Sequence, residues 1–297
     1  MAERLFDEKI LRKLERMTLI ANRVRAGKMK GERRSSKRGT SIEFADYRNY
    51  TQGDDLRRVD WNVFARLERP FIKLFEEEED LAVHLILDAS LSMDWPTEGD
   101  MSRNKFTFAR RILAGLGFIS LGAGDVLTVT ALGQPNLTWG PTRGRGQSLG
   151  LLDFIGKLPA GGTTDLNAAL KTYAVRTSRP GLCLIISDLM SPTGYQDGLS
   201  ALQGRGYEIG LIHVLSHDEV EPELAGDLHL VDVETGVGQD VTVDGAMRDL
   251  YMQRLLAWRD EIAAYSLRRG IHYATVETGT PWEELILFEL RRLGVVR

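Results

Sequence analysis

The chain has 297 residues, of which 43% are hydrophobic and 27% charged, with a formal net charge of −4. That length admits one large domain or two smaller ones, and the composition is ordinary for a soluble globular protein. No apolar run is long enough to span a bilayer, the amino terminus shows no signal-peptide core, and a single cysteine excludes an internal disulfide. A cytoplasmic protein is the expectation.

Residues 1–40 are basic, with 13 Lys/Arg against 5 Asp/Glu, whereas the remainder holds 25 against 37. Leu5, Ile10, Leu14, Met17 and Leu19 recur at roughly helical spacing, which predicts an amphipathic helix with a solvated basic face. The following "RAGKMKGERRSSKRG" reads as a linker. A basic arm can also bind nucleic acid. No stacking-aromatic pattern accompanies it, so no nucleic-acid partner is expected.

Residues 41–79 make a polar, aromatic segment. Arg48, Asp54, Asp55, Arg57, Asp60 and Arg66 supply both signs of charge, interleaved with Tyr50 and Trp61, and Gly53 permits a turn ahead of Asp54. Arg–carboxylate pairs and buried aromatics would tie such a segment to a domain; binding a partner is the other reading. The run "EEEED", 76–80, reads as a solvated acidic face or a counterpart to the basic arm.

From residue 80 to 297 the pattern changes. Apolar strand-like runs at 81–88, 125–132, 181–187, 207–215 and 271–276 alternate with helix-like segments. The helices fall at about 103–122, 147–158, 165–178, 195–204, 246–269 and 281–293. Such alternation predicts an α/β, doubly wound, mostly parallel sheet with helices on both faces, carrying the amino-terminal helical and polar extension. Residues 227–244 alternate polar and apolar with turn signals, which predicts a hairpin or short extended segments near the sheet edge.

Two strand-like runs end in aspartate, "HLILD" at Asp88 and "LIISD" at Asp188. In open α/β sheets ligands bind outside the carboxyl ends of strands, so both are candidates for one site. Ser90 and Ser92 follow Asp88 at alternate positions, and "AGGTTDL" supplies Thr163 after two glycines. The set is all oxygen, which suits Mg²⁺ or Mn²⁺, with Ca²⁺ also compatible. Asp94 and Trp95 are candidates for the partner-binding rim, and Asp165 reads as a helix cap. His84, His213 and Cys183 fall within apolar runs and read as core residues.

Asp-x-Ser-x-Ser, then Gly-Gly-Thr, then a strand ending in Asp resembles the metal-ion-dependent adhesion site of von Willebrand factor A domains. That resemblance implies Ser90, Ser92 and Thr163 as metal-coordinating hydroxyls, with Asp88 and Asp188 coordinating directly or through water. The stretch "RNYTQGDDLRRVDWNVFAR" leading into Asp88 is similar to domain-of-unknown-function family fifty-eight, whose members carry such an A-like domain. This second resemblance implies a chaperone-like role in the assembly or maturation of client proteins, beside a MoxR-type AAA+ ATPase; with no catalytic set in the sequence, a non-enzymatic module is the expectation.

Enzyme readings fare worse. An aspartyl-nucleophile phosphatase using Asp88 would need an acid/base aspartate where Ser90 stands. A serine hydrolase would need G-x-S-x-G, which does not occur. The nearest phosphate-loop candidate, "RGRGQSLG" at 143–150, lacks the lysine and the glycine spacing. A metal-dependent phosphoester hydrolase remains the alternative to the binding module.

Overall fold

The computed structural model describes residues 8–21, 42–77, 81–177, 179–222, 225–233 and 236–297. They divide into two compact units, a smaller one within residues 30–80 and a larger one from the rest.

The larger unit opens with helix α1 (Glu8–Leu14). Leu14, Met17, Leu19 and Ala21 are buried in its core, and Leu19 bridges Val296. The expected basic helix is therefore anchored by its apolar side. Leu5 and the whole of the expected linker lie outside the described residues.

In the smaller unit, β1 (Ile42–Asn49) and β2 (Phe71–Glu77) pair antiparallel. A short 3₁₀ turn at Leu56–Arg58 and helix α2 (Trp61–Leu67) connect them. The charge-rich sequence concealed this hairpin. Residues 78–80 of the acidic run are outside the description.

The sheet of the larger unit comprises β3 (Ala82–Asp88), β4 (Val126–Leu132), β5 (Leu137–Thr142), β6 (Leu182–Ser187), β7 (Glu208–Leu215) and β10 (His272–Glu277). Their order is β10-β7-β6-β3-β4-β5, all parallel except β5, which runs antiparallel to β4. Helices α3 (Lys105–Ala123), α4 (Ser148–Gly156), α5 (Leu166–Arg176), α6 (Gln196–Gly204), α7 (His217–Val220) and α8 (Gly245–Arg269) join the strands. A final helical segment covers 282–292. The hairpin β8 (Gly226–Val231) and β9 (Gly238–Val243) forms its own two-stranded sheet and adds no strand to the central one.

Strand side chains alternate between two cores. Leu182, Leu184 and Ile186 face one with α3 and α4, whereas Cys183 and Ile185 face the other with α5 and α6. Helix α3 is apolar nearly all round because the protein buries 67% of its most apolar stretch, which explains a composition that would otherwise suit a membrane. Asn104 caps it by accepting from Thr107 N at 2.8 Å, and Gly124 ends it in a left-handed turn. A Cβ on Gly181 would run into the Ala82 carbonyl, so glycine lets β6 enter beside β3.

From β3 the chain builds outward through β4 and β5, then returns to the other side of β3 with β6. The order therefore switches between β3 and β6, and Asp88 and Asp188 stand at the carboxyl ends of those two strands.

Candidate functional site

Asp88 is buried, and both its oxygens are held. Ser90 N donates to Oδ1 at 3.1 Å, and Ser187 Oγ donates to Oδ2 at 2.8 Å. Burial pushes its carboxyl up to about 6, the nearby Asp188 charge adds to this, and hydrogen bonds from the Ser187 side chain and from the Ser90 backbone and side chain oppose it. Ser90 and Ser92 stand with their hydroxyl oxygens 3.0 Å apart. The loop carrying them is stitched to the glycine loop: Leu91 N donates to Gly162 O at 3.0 Å, and Gly161 N donates to Ala89 O at 2.8 Å. This brings Thr163 into the neighbouring loop on the same end of the sheet, exposed, its carbonyl accepting from Gln134.

Asp188 is buried with Met190 N on Oδ1 at 3.1 Å and the Lys105 ammonium on Oδ2 at 2.8 Å. Lys105 has no exposed surface, and its ammonium also bonds Glu219 at 2.5 Å. Burial pulls the ammonium down, but Asp188 and Glu219 outweigh it and hold it above its ordinary value. Glu219 is fixed in turn by a capping box with Ser216, and Tyr251 donates to its carbonyl at 2.6 Å. His213, pushed down to about 4 by burial, brings no charge at neutral pH.

Lys105, Ser187 and Glu219 were not among the residues singled out from sequence. Ser187 had a signal, since it directly precedes Asp188 and its side chain alternates toward the β3 end. Lys105 opens a helix 83 positions away from Asp188 and has no local signature. Next to this set Leu189 takes a left-handed φ of 59°, held by its N–H donating to Ser187 Oγ at 2.9 Å. A branched residue in that region costs about 1–3 kcal/mol, and such strain concentrates at functional loops.

Asp94 accepts from Asn104 Nδ2 at 2.8 Å and so braces the start of α3, while Trp95 is 44% exposed beside it. Asp165 caps α5 by accepting from Ala168 N at 2.9 Å. His84 is a core residue whose ring nitrogens meet Tyr173 Oη and Arg179 O. Cys183 is buried, and burial pushes its thiol up.

The polar motif folds on itself within the smaller unit. Arg48 forks onto Asp54 with both contacts at 2.7 Å, and Thr51 donates to Asp54 from N and Oγ at 2.9 Å each. These donors, the guanidinium first, hold the Asp54 carboxyl far below the usual range. Gly53 supplies the turn with φ 110°. Asp55 caps the 3₁₀ turn through Arg57 N, and Asp60 caps α2 through Asn62 N and Val63 N while accepting from Tyr47 Oη at 2.9 Å. Tyr50 N donates to Pro70 O. Trp61, expected among buried aromatics, is 58% exposed and meets Phe64 edge-on. Arg66 lies in the last turn of α2.

An uncharacterized protein of Mycobacterium tuberculosis strain H37Rv is 29% identical over 280 residues, covering 93% of this chain and 87% of its own length. An uncharacterized Mycobacterium avium protein is 32% identical over 142 residues, 47% of this chain and 83% of its own. Among solved structures, the conserved hypothetical protein BatB from Bacteroides thetaiotaomicron aligns with TM-score 0.43 and 13% identity, over 72% of this chain and 98% of that one. An aerotolerance-related membrane protein from Bacteroides fragilis aligns with TM-score 0.43 and 12% identity over the same shares. The family described as protein of unknown function DUF58 matches residues 46–261, well over half of the sequence, and the chain belongs to that family.

Proposed function

We propose that the chain is a non-enzymatic interaction module built on a von Willebrand A-like domain, with a divalent cation held among Asp88, Ser90, Ser92, Thr163 and Asp188. One observation carries the reading. Three carboxylates, Asp88, Asp188 and Glu219, gather at the sheet's switch point, where the one ammonium, Lys105, pairs with Asp188 and Glu219 and not with Asp88. With all three acids ionised, two negative charges remain uncompensated, two of the acids being almost fully buried. Buried charge of that kind is costly unless paired, and a divalent ion balances it.

The donors suit Mg²⁺ or Mn²⁺. They are all oxygen, and the paired serine hydroxyls can turn their lone pairs toward an ion once their hydrogens rotate away. Asp88 and Asp188 each accept a hydrogen bond on both oxygens, which fits coordination through water or through the lone pairs that remain. The ion, when bound, supplies a positive centre that completes its coordination with a carboxylate from a partner. Lys105 orients Asp188, and Ser187 holds Asp88 and the Leu189 turn in register. A MoxR-type AAA+ ATPase or its client is the partner that the family resemblance suggests.

The test is calorimetric titration of Mg²⁺ and Mn²⁺ into metal-stripped protein, with and without excess acetate as a carboxylate mimic. Saturable one-site binding is expected, lost in the folded Ser90→Ala/Ser92→Ala double variant. No binding by wild type even with acetate, or unchanged binding by the double variant, would sink the site. Phosphoester turnover that disappears in Asp88→Asn would favour the hydrolase instead.

A further inference from the structure

A second site lies within the larger unit, away from the carboxyl ends of the strands. The final helical segment lies against α3, with Trp282 and Ile286 packed at Gly115. Both α3 and this segment follow parallel strands and run back along the sheet, so residues 290–297 finish toward the strands' amino ends. There they meet α1, with Thr18 N donating to Arg297 O at 3.1 Å.

Between the two lies an open cavity of about 560 Å³. Arg12, Lys13 and Arg16 line it from α1 and its end, and Arg291 and Arg297 line it from the other side. Its remaining lining is apolar: Met17, Leu287 and Phe288, the last 65% exposed. Among the described residues none of the five cations forms an ion pair with a carboxylate, and no acidic side chain lines the cavity. The nearest acid in sequence on the second segment, Glu289, bonds Arg292 instead, at 2.6 Å.

Five like charges around one concavity repel one another, and nothing in the proposed metal site requires them. We propose that this cavity binds an organic polyphosphate, its phosphates held by the Arg/Lys set and its apolar or aromatic part lying on Phe288, Leu287 and Met17. Guanidinium forks match phosphate oxygens bidentately, and arginine outnumbers lysine here four to one. A single carboxylate would balance only one of the charges, whereas a triphosphate balances most of them. The shared chemistry has two sources, a free nucleotide or a phosphorylated lipid headgroup.

The full chain, kept in EDTA so that the metal site contributes nothing, is titrated with tripolyphosphate, with ATP, and with phosphatidylcholine vesicles carrying a phosphoinositide. Saturable one-site binding to at least one of these is expected. The folded Arg16→Ala/Arg291→Ala variant should bind about tenfold more weakly or worse, because two charge-assisted contacts to phosphate are lost. Phe288→Ala should weaken ATP or vesicle binding while sparing tripolyphosphate. ATP binding without vesicle binding identifies the soluble source, and the reverse identifies the lipid. Absence of binding to all three would overturn the site. So would affinity unchanged in the double variant, which would place the polyanion on the basic residues elsewhere, or equal affinity for a poly-glutamate peptide.

Discussion

The two acid-rich regions of this chain use the same residue types in opposite ways. Between residues 48 and 60 each aspartate has local work: Asp54 is clasped by Arg48, and Asp55 and Asp60 cap the elements that follow them. Their partners lie within 13 residues, and the Asp54 carboxyl falls as a result. In the buried site the partners are distant, Ser187 lying 99 residues from Asp88 and Glu219 114 from Lys105, and the Asp88 carboxyl rises. Local acids are fully satisfied by the fold; the distant, buried ones are left short of positive charge. That contrast is why only the second region reads as a site for a cation.

The sharpest way to break the contrast is to remove Lys105. Lys105→Met strands Asp188 and Glu219 without their common partner, and breaking a buried pair costs about 3–5 kcal/mol. Urea unfolding of metal-free protein should show that loss, with Mg²⁺ restoring part of it. A loss below about 1 kcal/mol, the range of an exposed pair, would mean that the lysine is not the sole counter-charge.

Next in size is Asp88→Asn. Because the folded carboxyl titrates near 6, above its ordinary 3.8, the folded metal-free protein holds its proton over a range where the unfolded chain has lost it. Wild-type stability from this group is complete below about pH 4 and is lost as pH rises through 6. The shift is worth about 3 kcal/mol at most. Asn carries no such penalty, so its advantage over wild type should grow between pH 4 and 7 and then level off. Thermal melts in EDTA across that range check it. Curves that stay parallel would show that Asp88 does not titrate there, and Mg²⁺ should stabilise wild type alone.

Much of this was legible in the sequence, for physical reasons. The five core parallel strands announce themselves because burial on both faces demands continuous apolar runs, as in "HLILD" and "LCLIIS". Strand ends carry Asp88 and Asp188, so their meeting followed from topology. β5 was hidden because it is a half-exposed edge strand containing Gly140 and Pro141, residues that normally interrupt strands. The β1–β2 hairpin was hidden by its charges, which satisfy one another instead of marking a loop. Lys105 was invisible for another reason: a lysine is almost always solvated, and only the three-dimensional convergence of two acids makes its burial affordable.

In the smaller unit the effects should be smaller, and their order tests the contrast. Asp60→Ala removes a helix cap and the Tyr47 bond, about 1–2 kcal/mol. Amide exchange across residues 61–68 should accelerate at least about fivefold. Unchanged exchange would mean that α2 is held by something other than its cap.

Arg48→Ala should have the smallest effect of all, although it forks onto Asp54 with two contacts at 2.7 Å. The arginine side chain is 44% exposed, so water competes for both groups and long side-chain freedom is regained when the pair breaks. The two Thr51 donors also remain to hold Asp54 and its turn. The unfolding midpoint should therefore move less than for Asp60→Ala, and the difference should shrink as salt rises and screens the pair. A loss as large as that of Asp60→Ala and indifferent to salt would show Arg48 and Asp54 to be desolvated. The distinction between locally satisfied, solvated acids and buried, undercharged ones would then fail at its clearest example.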